Sequence, residues 1–406
     1  MSARNGHVTR QRSGSLQKTL QNIEDDPKHH IAGSLAPQTP PTSVPSSPRP
    51  KRLHELPSQG FLNDLVTMRW MRRPSSSFKL LVLPIILYIN WALVAPQFNN
   101  PWARLLFPSN RLPDSAQGFR QYAKSYWDLA FVAYYIVVFS FVRQSMTIYV
   151  LKPLARHYGI NKEAKLDRFA EQGYAVFYFS ISTSLGIYTM YNYMPTWFYR
   201  TEYFWINYPH WQMPGTLKVY YLLQTAYWTQ QFLVLVLKLE KPRSDYAELV
   251  AHHVVTLWLI FWSYLVNLTY IGNAVYMTMD VSDVFLALSK IFNYLRMEKT
   301  KTVAFAWFTC VWTYTRHYLN ILILWSVWKE FDLIPYQNKV WERERGAWLA
   351  PWMKYQIFLP LFLLQLINLF WYFLIWRILL RAIFSSTLDD ERSDDEDDEP
   401  QKKKKE

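Results

Sequence analysis

The run ELVAHHVVTLWLIFWSYLV, Glu248 to Val266, has the length and apolar content of a helix that crosses a bilayer, yet it holds two adjacent histidines, His252 and His253. About 20 apolar residues span a hydrocarbon core. A short connection, NLTYIGN, leads into a second such run, Ala274 to Leu295, which contains Asp280 and Asp283. Ionisable groups inside such segments are costly, and they mark function by default.

Working outward, the apolar pattern recurs at Phe78 to Val94, Trp127 to Leu151, Phe169 to Tyr191, Leu217 to Leu237, Ser244 to Val266, Ala274 to Leu295, Val303 to Trp328 and Tyr355 to Leu380. Lengths near 20 exclude barrel strands, and an isolated helix satisfies its own backbone in lipid. The expectation is an all-α polytopic membrane protein with about eight transmembrane helices. Pro84 shortens and interrupts the first. Half of the 406 residues are apolar and 18% are aromatic, concentrated in the middle of the chain. The organisation expected is a disordered cytosolic tail over 1–75, two spans over 76–160, a catalytic membrane domain over 161–385 and an acidic cytosolic tail over 386–406. The first 60 residues show no cleavable signal peptide, so the first span directs insertion.

The formal charge of +13 does not assemble into a basic domain, so no nucleic-acid partner is expected. It follows membrane orientation instead. With the amino terminus cytosolic, one set of loops holds Lys152, Arg156, Lys162, Lys165 and Arg168, then Lys238, Lys241 and Arg243, then Arg296, Lys299 and Lys301. The opposite loops hold four, one, none and five basic residues, the last set offset by four acids, which agrees with the positive-inside rule. The sequon at Asn267 falls on the lumenal side, and the ending KKKKE places Lys403 and Lys404 as a cytosolic dilysine retrieval signal. Both termini are then cytosolic, and the membrane is that of the endoplasmic reticulum. Phosphorylation candidates are Ser15, after Arg10 and Arg12, and Ser393, before a run of acids; Thr39 and Ser47 each precede a proline. The lone Cys310 excludes an internal disulfide and a thiolate cluster.

Depth decides whether the histidines and aspartates can meet. If the helix starts at Ser244, His252 lies about 12 Å from its cytosolic end, and Asp283 and Asp280 lie roughly 18 and 22 Å from the same side on the returning helix, at about 1.5 Å per residue. Asp280 and Asp283, three apart, project from one helical face, so a hydrogen bond between histidine and aspartate is geometrically open. A carboxylate accepting one ring N–H raises the basicity of the other nitrogen, which suits a base or a nucleophile. The plainer alternative is a histidine bonded to a backbone carbonyl and an aspartate bonded to a serine. A metal is disfavoured: adjacent helical residues point about 100° apart, and few of the nine histidines lie inside spans. No cofactor is expected.

Lys241 to Tyr294 resembles the Lag1 motif of ceramide synthases, within the TLC-domain family. The likeness covers the His pair with Thr256, Ser263 and Asn267, then Ile271-Gly272, the DVSD aspartates, Lys290 and Asn293-Tyr294. Weaker likeness extends from RFAEQGYAVFYF, Arg168 to Phe179, through the seventh span with Trp312 and Arg316. Met279 departs from the pattern, standing where many members have histidine. The resemblance implies a TLC-type helical bundle enclosing a lipid cavity and an N-acyltransferase joining the acyl group of acyl-CoA to a sphingoid base such as dihydrosphingosine or phytosphingosine. The absence of a homeobox-like insert between the first two spans resembles the fungal branch, which implies very-long-chain acyl groups, a homo- or hetero-dimer of catalytic subunits and a small single-span accessory subunit. His252 and His253 are the catalytic candidates, with Asp280 and Asp283 as orienting carboxylates. Lys238, Lys241 and Arg243 are candidates for CoA phosphates, with Lys165, Arg168 and Lys299 behind them, and Asn267 and Arg316 for substrate contact. A histidine either deprotonates the attacking amine or is itself acylated first; exclusion of water favours the second. The alternative is a non-catalytic TLC-family protein of lipid handling or translocation, which would lack the paired His and Asp together.

Overall fold

The computed structural model describes residues 60–113, 118–239, 245–342, 344 and 346–385. Helix dominates these residues: α1 is Pro74–Val94, α2 Asp128–Ser145, α3 Glu163–Tyr193, α4 Gly215–Val236, α5 Tyr246–Leu265, α6 Thr269–Tyr294, α7 Glu298–Trp312 and α8 Met353–Ser385. After α2 the chain runs through a π-helical segment, Met146–Leu151, into Lys152–His157; after α7 it runs through a second, Thr313–Leu319, into Asn320–Lys329. Pro84 does not interrupt α1, which begins earlier than its apolar run because Pro74 serves as a first-turn proline whose missing N–H is not needed there.

Among the described residues, four stretches are long and apolar enough to cross a membrane: Pro74–Val94, Asp128–His157, Tyr246–Leu265 and Met353–Arg381. The remaining long helices contain polar residues that lower their apolar content. Gln224 and Lys218 on α4, Asp280 and Asn273 on α6, and Arg316 and Asn320 beyond α7 are all buried, so their polarity faces the protein.

α6 is central, packing along α3 and α7, while α4 packs against α2 and α5, and α8 against α5. The turn from α5 into α6 explains their antiparallel pairing. Asn267 takes a left-handed conformation (φ 61°), and the Leu268 N–H reaches the Ser263 carbonyl at 2.8 Å while the Asn267 N–H reaches that of Tyr264. This closes the helix as a Schellman motif, and asparagine tolerates the left-handed position better than most residues. Arg296 after α6 and Lys238 after α4 occupy equivalent left-handed positions.

Short strands β1 (Gln121–Tyr122), β2 (Met213–Pro214), β3 (Trp341–Glu342) and β4 (Ala347–Trp348) pair antiparallel, β1 with β2 and β3 with β4. They belong to loops that cap one end of the helices. Tyr208 joins that layer to the helix ends: its hydroxyl donates to the Val266 carbonyl (2.8 Å) and accepts from the Trp348 N–H (3.2 Å).

Below the cap, the buried Lys218 Nζ lies 2.8 Å from Asp128 Oδ1 and also donates to the Ser109 and Ala123 carbonyls, both at 2.7 Å. Asp128 further accepts from the Ser109 hydroxyl, the Ser125 N–H and the Tyr264 hydroxyl. One ion pair therefore ties the starts of α2 and α4 to the end of α5.

Candidate active site

α5 begins at Tyr246, which puts His252 about 9 Å along the helix at about 1.5 Å per residue. Both histidines are buried, but they differ in partners. The Nδ1–H of His253 donates to the Leu249 carbonyl one turn earlier at 2.8 Å, which assigns the proton to Nδ1 and leaves Nε2 as the acceptor. His252 has no hydrogen-bond partner for Nδ1 among the described residues, and its Nε2 is 3.5 Å from the Thr256 hydroxyl, at the long limit of a bond. Its ring meets Trp371 at 5.2 Å and Trp228 at 5.8 Å between centroids.

His252 and Asp280 line a common cavity between α4, α5, α6 and α8, which holds about 710 Å³ including its open mouth. The wall is overwhelmingly apolar. Along α5 it extends from His252 to Ser263, roughly 17 Å by helical rise. Met279, where the motif often has histidine, contributes a thioether to this wall. Small ligand sites share this character, a mostly apolar concavity with few polar groups.

The two aspartates diverge despite their spacing. Asp280 Oδ2 accepts from the Ser182 hydroxyl on α3 (2.7 Å) and from Gln224 Nε2 on α4 (2.5 Å). Asp283 instead pairs with Arg316 at 2.7 Å. The hydrogen bond between histidine and aspartate that the spacing leaves open is not formed: His253 bonds the Leu249 carbonyl, Asp283 pairs with Arg316, and Asp280 is held through Oδ2 by Ser182 and Gln224.

Arg316 is committed within the bundle. Its guanidinium also donates to Ser282 Oγ (2.6 Å), the Met279 carbonyl (2.9 Å) and Asn368 Oδ1 (3.3 Å), and lies 4.2 Å from the centre of the Trp312 ring. The π-helical segment carries it, and such segments re-aim side chains at functional sites. Together these contacts form an internal clamp between α6, the segment after α7 and α8. Asn267 is likewise engaged away from the cavity wall: it is fully buried and its Nδ2 donates to the Gly346 carbonyl at 2.7 Å, which also leaves the sequon nitrogen inaccessible in the folded chain.

Lys238 is exposed at the end of α4, with Nζ 5.9 Å from the Tyr246 ring centre. Lys165 and Lys299 are exposed, and Arg168 pairs with Glu171 at 3.1 Å. Lys241, Arg243, Ser15, Ser393, Thr39, Ser47, Lys403 and Lys404 lie outside the described residues. Among the described residues, no group of three His, Cys, Asp or Glu side chains is placed to hold a metal.

These positions can be set beside known proteins. A family model described as the TLC domain matches residues 168–377, which contain every described site residue except Lys165. The chain is 40% identical over 319 residues to sphingosine N-acyltransferase lac1 of Schizosaccharomyces pombe, covering 78% of this chain and 81% of that one. The chain belongs to the TLC-domain family, on its sphingosine N-acyltransferase branch. Ceramide synthase LAG1 of Saccharomyces cerevisiae is 42% identical over 282 residues, 67% of this chain and 66% of its own length. The sphingosine N-acyltransferase-like protein FUM17 of Gibberella moniliformis is 37% identical over 313 residues, 76% of this chain and 80% of that one.

Within this TLC domain, Ser182, Gln224 and Tyr178 were not among the expected site residues. All three lie within the matched residues 168–377, but nothing local distinguishes a single Gln or Ser in an apolar helix. Gly272 of the motif has a packing reason. A Cβ there would lie 1.9 Å from Tyr221 Oη and 2.7 Å from its ring, and Tyr221 is fully buried with its hydroxyl bonded to Ser263. Gly272→Ala is expected to destabilise by about 1–3 kcal/mol through overpacking, read as faster thermal inactivation in detergent. Adding Tyr221→Phe removes the closest atom and should recover part of the loss.

Proposed function

We infer that this chain is an acyl-CoA-dependent sphingosine N-acyltransferase, a ceramide synthase, which moves a fatty acyl group from CoA sulfur to the amine of a sphingoid base. The observation that carries the reading is the placement of the His252 imidazole and the Asp280 carboxylate on one apolar cavity, in a chain of this branch. The reaction breaks the thioester C–S bond, forms an amide C–N bond, and passes the amine proton through a base to the CoA thiolate. An apolar wall suits the hydrocarbon chains of both substrates, while CoA stays in water beside the loops that hold Lys238, Lys241 and Arg243.

His252 is the reacting imidazole. It can be acylated by the thioester and then release the acyl group to the amine, or it can deprotonate the amine during direct attack. The apolar surroundings favour the first by limiting the access of water to the acyl-imidazole. The remaining long helices join the four apolar ones as spans, giving eight around a lipid cavity. Their polar residues are buried, and α6, with 26 residues, is about 39 Å long by helical rise. We place the protein in the endoplasmic reticulum with both termini cytosolic, acting on very-long-chain acyl-CoA, as a dimer of catalytic subunits with a small single-span partner.

The test is incubation of the purified full chain with radiolabelled acyl-CoA, first without and then with dihydrosphingosine. The expected result is label held on the protein, then chased into ceramide. Ceramide without prior label under single-turnover conditions overturns the covalent route. No ceramide with any acyl-CoA overturns the function.

A further inference from the structure

Asp280 sits at the meeting of three helices in an arrangement that satisfies only half of it. Its Oδ2 receives both the Ser182 hydroxyl and the Gln224 amide, while Oδ1 is buried with no hydrogen-bond partner among the described residues. Gln224 is itself held. Its Nε2 reaches Ser182 Oγ (2.7 Å) and Tyr220 Oη (3.1 Å), and its Oε1 accepts from the Tyr178 hydroxyl at 2.6 Å. Tyr178 is in turn stacked on Tyr227 with ring centroids 3.3 Å apart. All of these side chains are buried, so the carboxylate is fixed from behind by groups that cannot drift.

Most buried side-chain acceptors have a partner, since an unpaired one costs about 1–3 kcal/mol. The nearby cation is no substitute, because Arg316 bonds Asp283 and not Asp280. Asp280 belongs to the cavity wall, on the same α6 stripe as Gly272 and Tyr276, which precede it by two turns and one. What the cavity must admit for acyl transfer is one amine, which arrives in water as an alkylammonium. That chemistry matches a cavity-lining aspartate with one oxygen unpartnered among the described residues, and a charge-assisted bond there is stronger than a neutral one.

Building on the acyl-transfer reading, we propose that Gln224 and Ser182 are positioning residues that hold one oxygen of Asp280 and present the other to the cavity as the acceptor for the sphingoid amine. Tyr178 supports them by orienting the Gln224 amide. The role assigned to Asp280 is thus recognition of the amine substrate, in place of orientation of a histidine.

The test uses the full chain purified in detergent, with Gln224→Met, Ser182→Ala and Ser182→Thr, each checked for a monodisperse folded population. Gln224→Met is expected to raise KM for the sphingoid base about tenfold, the scale of one charge-assisted hydrogen bond, with KM for acyl-CoA within about twofold of wild type. Ser182→Ala shifts the same parameter and Ser182→Thr, which keeps the hydroxyl, restores it. Displacement of a fluorescent long-chain amine by unlabelled alkylamine and by the alkanol of equal length supplies a readout that needs no turnover. Wild type prefers the amine, and the preference shrinks in Gln224→Met and Ser182→Ala. Equal rises in both KM values, or an amine preference unchanged in the variants, overturn the proposal. A preference that shrinks as expected in a protein that makes no ceramide supports the positioning role while the function fails.

Discussion

Replacement of His252 by alanine is expected to lower acyl transfer at least about 100-fold at unchanged protein level, the lower end of what a positioned base or nucleophile contributes. The adjacent His253→Ala is expected to fall less. Both rings are buried, but His253 donates its Nδ1–H to the Leu249 carbonyl and packs between Trp228 and Phe232, whereas His252 lines the cavity with Nδ1 unpartnered among the described residues. The His253 ring meets that of His252 edge-on at 5.6 Å, so its removal loosens its neighbour without removing the reacting nitrogen. The measurement is ceramide formed per unit of immunoblotted protein in microsomes, with several acyl-CoA lengths. A larger loss in His253→Ala than in His252→Ala reverses the assignment. Full activity in both would remove the site from α5 altogether.

Asp128→Ala is expected to destabilise the fold by about 3–5 kcal/mol, because it strands a buried ammonium. Lys218 has no exposed surface and Asp128 is 3% exposed, so water cannot solvate the survivor. Lys218→Ala should cost a similar amount, leaving the carboxylate with only its Ser109, Ser125 and Tyr264 donors. The double variant Asp128→Leu with Lys218→Leu should be more stable than either single one, since it removes both charges. It does not reach wild type: the Ser109 and Ala123 carbonyls lose the lysine that holds them. Thermal denaturation in detergent reads all three. A loss in the double variant equal to the sum of the two single losses would show that the two charges are not coupled. Because the pair lies at the starts of α2 and α4, away from the cavity wall, residual activity per folded molecule should stay near wild type.

The His pair was legible because an apolar helix makes any titratable group conspicuous, and the DVSD pair for the same reason. Their partners were not. Ser182 lies 98 residues from Asp280, and Gln224 lies 56 away. Serine and glutamine are cheap enough inside a helix to leave no mark in composition. The same holds for the ion pair of Asp128 and Lys218: each reads as an ordinary charge near the end of an apolar run until the helices meet. Arg316 was singled out, but a sequence does not show that its donors would all turn inward to Asp283, Ser282, Asn368 and the Met279 carbonyl.

By itself the sequence determined the mostly helical membrane character and the residue types available for acyl transfer. Those follow from apolar run length and from the cost of burying charge, which act locally along the chain. Only the tertiary structure decided how these groups are divided. Asp280 and Asp283 share a face by spacing, yet α3 and α4 take one and the π-helical segment after α7 takes the other, because hydrogen-bond partners come from whichever helix packs alongside. His252 and not His253 faces the cavity for the same reason: helical rotation separates adjacent residues by about 100°, and the packing of α5 against α4, α6 and α8 selects which direction opens onto space.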